Sequence, residues 1–157
     1  MTYTMSVDQQ TNELYEALSA EIRDVLHELE QVITVPAGAP LIVQNVVPEH
    51  VMILNQGSVE ISVPAGGKTI SVALAGHGKV FGLRSVVSGE LPEINVICLE
   101  ECSVTVLPRD EFIRILKQYP QVYFAIAKVL SADLKLAQDL LREMPRAANG
   151  AARRMKV

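Results

Sequence analysis

The chain has 157 residues, 49% of them hydrophobic, and a mean hydropathy of +0.24, so it is long enough for one domain with a real core. The net charge of −4, the 4% aromatic content and the absence of Trp argue against a nucleic-acid-binding surface on the body of that domain. No apolar run approaches the length that spans a bilayer, and the first six residues lack the basic region of a signal peptide. We therefore expect a cytoplasmic protein that does not enter the membrane.

The N-terminal part of the chain is predicted to be helical from about Val7 to Glu30. Its apolar residues recur at spacings of three and four and form one face: Leu14, Leu18, Ile22, Val25 and Leu29. Ser19 is a candidate N-cap of a second, shorter helix. The acidic residues of the opposite face, including Glu13, are expected to be solvated.

From Gln31 to Leu107 the hydrophobic period changes to two, which predicts short strands. Turn residues separate these strands at short intervals, for example at positions 36–38, 55–57 and 64–67. Many short strands with regular turns predict an antiparallel sandwich or barrel. The helices lie at the two ends of the chain, so the fold class is α+β and mainly β.

Residues 76–95 interrupt this pattern with glycines at Gly76, Gly78 and Gly82 and a second break at Ser88-Gly89. Glycine tolerates positive φ and the close approach of other atoms. A turn that opens a short helix also leaves backbone N–H groups unpaired, which suits an anionic ligand. The sequence therefore predicts a ligand pocket at this segment.

Two helices are predicted after Pro108: a short one over Arg109–Gln118 and a long one over residues 120–144, opened by Pro120. One row of the long helix steps by three and four and is typical of a dimer interface: Ala127, Leu130, Leu134, Ala137, Leu141 and Met144. A second row is expected to face the domain's own sheet: Ile126, Val129, Leu136 and Leu140. We expect a homodimer through this helix; the alternative is that both rows are buried within one subunit.

Three local sequences, in this order along the chain, carry a family resemblance. Residues 53–61 (ILNQGSVEI) look like a strand–glycine–strand segment, residues 78–82 (GKVFG) with Ser85-Val86 look like the start of a phosphate-binding cassette, and residues 102–112 (CSVTVLPRDEF) look like a strand-to-helix exit. Together they resemble the cyclic nucleotide-binding domain of the Crp/Fnr regulator family. The resemblance implies a double-stranded β-helix, or jelly roll, with N-terminal helices and a long C-terminal helix. It places this domain at residues 1–145, and the basic tail at residues 146–157 is expected to be disordered.

The sequence departs from the family at two ligand contacts. The family's cassette glycine, here Gly82, is followed by a glutamate that accepts a hydrogen bond from the ribose, and this chain has Leu83 there. The family's phosphate-binding arginine is missing from residues 91–95, where Glu93 introduces a carboxylate. The candidate pocket residues are Phe81, Gly82, Leu83, Arg84, Ser85, Glu93, Ile94 and Asn95.

These departures predict weak or no binding of cyclic AMP or cyclic GMP, because each charge-assisted hydrogen bond is worth about 1.5–3 kcal/mol. No cofactor is expected. An alternative is that Arg84 turns inward and binds the phosphate with both guanidinium nitrogens.

The predicted function is a regulatory ligand-sensing domain. The family continues into a helix-turn-helix domain after the long helix, and this sequence ends soon after Pro145, so direct DNA binding is not expected. A dimeric module that binds a protein partner and no ligand is a second hypothesis, and the effector or partner remains unidentified.

Enzymatic and metal-dependent functions are not predicted. His27, His50 and His77 do not share a strand at ligand spacing, so neither a metal site, a haem site nor a catalytic group is expected. Cys98 and Cys102 can share a face of extended chain, and we interpret them as two small buried hydrophobic residues.

Overall fold

The computed structural model describes residues 12–142. A short 3₁₀ turn at Tyr15–Ala17 precedes the first α-helix. The elements then follow in chain order: α1 (Ala20–Leu29), β1 (Gln31–Val35), β2 (Pro40–Ile42), β3 (His50–Gln56), β4 (Val59–Ala65), β5 (Lys68–Ala75), β6 (Val80–Phe81), α2 (Leu83–Ser88), β7 (Asn95–Cys98), β8 (Cys102–Pro108), α3 (Arg109–Gln118) and α4 (Val122–Arg142). The predictions for residues 7–11, for Met144 and for the tail at 146–157 lie outside the described residues.

The strands form two four-stranded sheets, with the orders β1-β8-β3-β6 and β2-β7-β4-β5. Every observed strand pair is antiparallel. Consecutive strands alternate between the sheets in several places, as β7 and β8 do, and this is the arrangement of a jelly roll. The predicted fold class is confirmed.

The alternating pattern of the strands produces two separate cores. Val106 and Leu107 are neighbours on β8, and they belong to different buried clusters. Val106 lies in the inner core between the sheets, with Met52, Phe81 and Val96. Leu107 lies in the outer core, where the helices cover the other face of the β1-β8-β3-β6 sheet. The period-two pattern therefore buries both faces of this sheet.

The N-terminal prediction needs one correction, because residues 12–18 form a turn with a short 3₁₀ segment and not an α-helix. Asn12 Oδ1 accepts hydrogen bonds from the backbone N–H groups of Leu14 (3.0 Å) and Tyr15 (2.9 Å), and it fixes a local turn instead. Ser19 Oγ accepts from the N–H of Ile22 at 3.4 Å, so Ser19 caps α1 as predicted.

The C-terminal helices agree with the sequence pattern except at Leu136, which was predicted to face the domain's own sheet and is 45% exposed. α3 has the predicted bounds, and Asp110 and Glu111 lie in its first turn, where they favourably oppose the helix dipole. In α4, Ile126 and Val129 are buried in the outer core, as the second apolar row predicts. No helix within residues 12–142 combines the length and apolar character required to cross a bilayer.

Candidate functional site

The glycine-rich segment forms a tight connection into a very short helix. Gly78 and Gly82 have φ of +87° and +89°, values that L side chains rarely adopt. A Cβ on Gly82 would also lie 3.0 Å from the carbonyl oxygen of His50. The segment therefore needs glycine here, both for its backbone conformation and for its close contact with β3.

Leu83 begins the six-residue helix α2 and points into the outer core. Its side chain is 2% exposed and shares that core with Leu14, Leu26 and Phe112. Val86, one turn later, is fully buried in the same cluster. The Leu83 side chain thus contributes to packing between the sheet and the helices.

Arg84 lies on the outer side of α2, where it forms an ion pair with Glu90. The Arg84 Nε donates to Glu90 Oε2 at 2.9 Å, and Nη2 lies 2.6 Å from the same oxygen. The two side chains are 55% and 56% exposed. An exposed pair of this kind contributes little stability, so it restrains Arg84 only weakly.

The segment that returns from α2 to β7 offers no cation. Pro92 is buried, and Glu93 is exposed to solvent. Ile94 packs against the inner core. Asn95 Oδ1 accepts a hydrogen bond from the N–H of Gln44 at 2.9 Å, which fixes the start of β7 to the loop after β2. The side chains of this segment are thus buried, hydrogen-bonded to the chain itself or exposed to solvent in the absence of a ligand.

A cavity of about 740 Å³ lies between the β4–β5 hairpin, helix α4, the segment around Glu13 and residues 76–79, the first part of the segment predicted to hold a ligand. Its volume is in the range of small-molecule sites. Its wall is partly apolar, with Ile61, Leu74 and Leu136. None of the eight pocket residues predicted from the sequence lines this cavity. Their role in ligand binding stays a prediction.

One lysine at the edge of the cavity forms two ion pairs with carboxylates from distant parts of the chain. Lys79 Nζ lies 3.2 Å from Glu13 Oε1 and also forms a short ion pair with Asp133 Oδ1 on α4. The other oxygen of Glu13 accepts the backbone N–H of Val80 at 2.8 Å. Glu13 is therefore not a purely solvated residue, which corrects the interpretation from the sequence.

The electrostatics of this cluster favour the charged form of Lys79. Burial alone would lower the pKa of Lys79, but the hydrogen bond to Asp133 and the attraction of Glu13 outweigh it, and the net pKa is raised. Burial raises the pKa of Glu13, although the hydrogen bond from Val80 and the charge of Lys79 act in the opposite direction. Lys79 is thus held as a cation between two acids.

Sequence reasoning missed this cluster, although one signal for it was present. The second apolar row of α4 steps from Val129 to Leu136 and skips the intermediate position, which Asp133 occupies. An acid in the middle of an apolar row predicts a partner on the facing element. The partner, Lys79, lies 54 residues away along the chain, so it could not be identified from the helix alone.

The histidines at positions 27 and 77 contact oxygen atoms of the chain itself. His27 Nδ1 lies 3.0 Å from Glu30 Oε1, and His77 Nδ1 contacts the carbonyl oxygen of Asn55 at 2.8 Å. Among residues 12–142, no group of three or more His, Cys, Asp and Glu side chains could hold a metal ion. Cys98 and Cys102 are buried free thiols in the inner core.

Comparison with known proteins matches residues 32–119, more than half of the chain, to the family described as "Cyclic nucleotide-binding domain". The Cyclic AMP receptor protein of Thermus thermophilus is 25% identical over 134 residues, which cover 82% of this chain and 61% of that protein. The chain thus spans about three fifths of the length of this relative.

Solved structures share the fold. The Catabolite Activator Protein of Thermus thermophilus superimposes with a TM-score of 0.71 at 23% identity, over 83% of this chain and 62% of that one. The regulatory domain of Toxoplasma gondii PKA, crystallised with cAMP, gives a TM-score of 0.62 at 22% identity, over 69% of this chain and 41% of that one.

Proposed function

Since this chain belongs to the cyclic nucleotide-binding domain family, in its Crp/Fnr type, we propose that it is a non-catalytic regulatory domain whose effector is not a cyclic nucleotide. The observation that carries this proposal is Leu83, which is buried in the outer core at the position where the family has its ribose-binding glutamate. The exposed Glu93 and the missing arginine at residues 91–95 support the same conclusion. A cyclic nucleotide would leave its ribose hydroxyl and its phosphate without their usual partners, at a cost of several decades of affinity.

Titration calorimetry with cyclic AMP and with cyclic GMP tests the degenerate cassette directly. We expect no binding heat at micromolar ligand for the natural chain. The alternative, in which Arg84 leaves Glu90 and binds the phosphate, predicts micromolar binding that Arg84→Ala abolishes. Arg114→Ala is the matched control, because Arg114 is an exposed arginine on α3, away from the cassette. Binding that Arg84→Ala removes and Arg114→Ala preserves would overturn our proposal.

We also propose that the regulatory unit is a homodimer formed through α4. Phe124 and Leu134 are 81% and 61% exposed on this helix, and Ala127 and Ala137 of the predicted row are exposed as well. Leu130 is half-buried and packs against the outer core. The side chain of Leu141 lies outside the described part of the structure. An apolar row of this kind on an otherwise packed helix favours a second copy of the same helix.

Sedimentation velocity distinguishes the dimer from a monomer. We expect Leu134→Glu to dissociate the dimer, because it places like charges face to face across the two-fold axis. Val32→Glu serves as the control, since Val32 is exposed to a similar extent, 67%, on β1. A natural chain that sediments as a monomer at all concentrations would contradict the dimer.

A ligand-free interaction module is the second candidate function, because the predicted pocket residues have structural surroundings of their own. A thermal-shift screen of small metabolites separates the two candidates, since a ligand that binds only the folded state raises the melting temperature. For a sensor, we expect at least one metabolite class to raise the melting temperature. If no metabolite in a broad screen raises the melting temperature and the dimer is stable, the interaction module is favoured.

A further inference from the structure

Lys79 lies where three separate parts of the chain meet. It belongs to the glycine turn before β6, at the start of the cassette, and its two partners come from the N-terminal segment and from α4. Glu13 is attached to the same turn by its backbone as well, because its N–H donates to the carbonyl oxygen of Gly78 at 3.1 Å. The Asn12–Glu16 segment and the turn therefore form one connected unit, and Asp133 is the residue through which α4 joins it.

The environment of Lys79 makes these contacts stronger than ordinary surface ion pairs. The Lys79 side chain is only 18% exposed, and those of Glu13 and Asp133 are 27% and 39% exposed. Partly buried charges are screened less by water and salt than exposed ones. If Lys79 lost its charge, Glu13 and Asp133 would be left as two neighbouring acids. Lys79 therefore offsets a repulsion as well as forming two attractions.

Helix α4 depends on this contact unevenly along its length. Its first half is held by the outer core, where Val122, Ala125, Ile126 and Val129 are buried. Beyond Leu130 the helix is largely exposed. Leu136, which lines the cavity, is 45% exposed. Among the described residues of this second half, Asp133 forms an ion pair with a residue outside the helix.

We propose that Lys79 is an electrostatic latch that holds the second half of α4 against the glycine turn at residues 76–79, where the cassette begins. The latch links the position of α4 to the conformation of this turn and of the Asn12–Glu16 segment. A change at the turn that withdraws Lys79 releases α4 beyond Leu130, and the first half stays packed. The inference concerns contacts within one chain, so it depends neither on the ligand nor on the dimer.

Hydrogen–deuterium exchange of the whole chain, resolved by peptide, tests the latch. We expect Lys79→Met to accelerate exchange in residues 131–139 on the order of tenfold, which corresponds to about 1.4 kcal/mol of local opening. Exchange in α3, at residues 109–118, should not change. Lys79→Arg keeps the cation and should keep the protection. Arg84→Met is the matched control, because it removes an exposed ion pair on α2 and should leave exchange in α4 unchanged.

A double-mutant cycle shows whether Lys79 and Asp133 act together. We expect Asp133→Asn to accelerate exchange in the same residues. The exchange rate of the double variant should exceed that of either single variant by no more than about twofold, because both substitutions remove the same contact. Additive effects would overturn the proposal. An exchange rate in Lys79→Met equal to that of the natural chain would also overturn it. Equal acceleration in α3 and α4 would overturn it as well, because it would indicate global destabilisation. If Lys79→Met does not fold, Asp133→Asn alone carries the same test. Repeating the measurement with Leu134→Glu removes any protection by a dimer.

Discussion

Gly57 and Cys102 are so close that a Cβ on Gly57 would stand 2.6 Å from the Sγ of Cys102. Gly57 follows β3 with φ of +106°, and Cys102 begins β8, which pairs with β3. The thiol thus occupies the space that any larger residue at position 57 would need. The strand–glycine–strand segment recognised in the sequence owes its glycine to this contact as well as to its backbone conformation.

Gly57→Ala should therefore destabilise the domain strongly. The positive φ costs about 1–2 kcal/mol, and the overlap with Cys102 and with the Glu101 carbonyl adds about 1–3 kcal/mol. Gly38→Ala is the matched control, because Gly38 also has positive φ, +85°, but its Cβ would meet nothing within 4 Å. Urea unfolding of both variants measures the difference. Equal losses at the two positions would contradict a packing role for Gly57.

The two thiols should be unreactive in the folded protein. Cys98 and Cys102 are 1% and 0% exposed. Burial, followed by the hydrogen bond with Cys102, raises the pKa of Cys98 to about 12, and only the thiolate is an effective nucleophile. We expect Ellman's reagent to label neither thiol in the native state and both in urea. Rapid labelling of the native chain would show that the inner core opens at β7 and β8.

Leu83 should behave as a core residue. We expect Leu83→Ala to lower the free energy of unfolding by about 2–5 kcal/mol, whereas Leu91→Ala, at an exposed leucine of the same segment (51%), should change it by less than about 0.5 kcal/mol. Leu83→Glu should lower it further, because it buries a carboxylate. Chemical denaturation measures all three. A Leu83→Glu variant as stable as the natural chain would show that this side chain can turn out of the core.

Local patterns predicted the individual helices and turns whose defining interactions are local, whereas the jelly roll was predicted from the family resemblance. The alternation of Val59, Ile61 and Val63 and the glycines of the following turn specify a hairpin without knowledge of the rest of the chain, and the structure has β4 and β5 there. Ser19 caps α1 through an atom three residues away. Signals of this kind operate within one or two turns, so the sequence displays them directly.

The candidate site was harder to predict because its contacts are not local. Glu13 and Lys79 are separated by 66 positions, and no periodicity connects them. The acids of the N-terminal segment have the spacing of a solvated face, and only the folded chain shows that Glu13 turns toward the cassette. The sequence predicted that Leu83 replaces a polar ligand contact. That the Leu83 side chain packs in the outer core could not be predicted, because the helices that cover it come from distant parts of the chain.

The hydroxyl of Tyr15 donates a hydrogen bond of 2.5 Å to Glu30 Oε2. Because of this contact, the stability of the domain should fall with rising pH in the alkaline range. Tyr15 is 3% exposed. Burial first, and then the hydrogen bond and the charge of Glu30, raise the pKa of Tyr15 above its ordinary value of 10. The folded state therefore keeps the phenol proton at a pH where the unfolded chain has lost it. The contribution of Tyr15 to stability is complete below pH 10 and falls as the pH rises beyond it.

Tyr15→Phe isolates this contribution. Below pH 10 we expect the variant to be less stable than the natural chain by about 1.5–3 kcal/mol, the value of a hydrogen bond to a charged group. Above pH 10 the advantage of the natural chain should shrink by about 1.4 kcal/mol per pH unit, because only its unfolded state releases the Tyr15 proton. Urea unfolding of both proteins between pH 8 and about 11.5 measures the difference. Parallel stability curves across this range would mean that Tyr15 ionises without unfolding the domain.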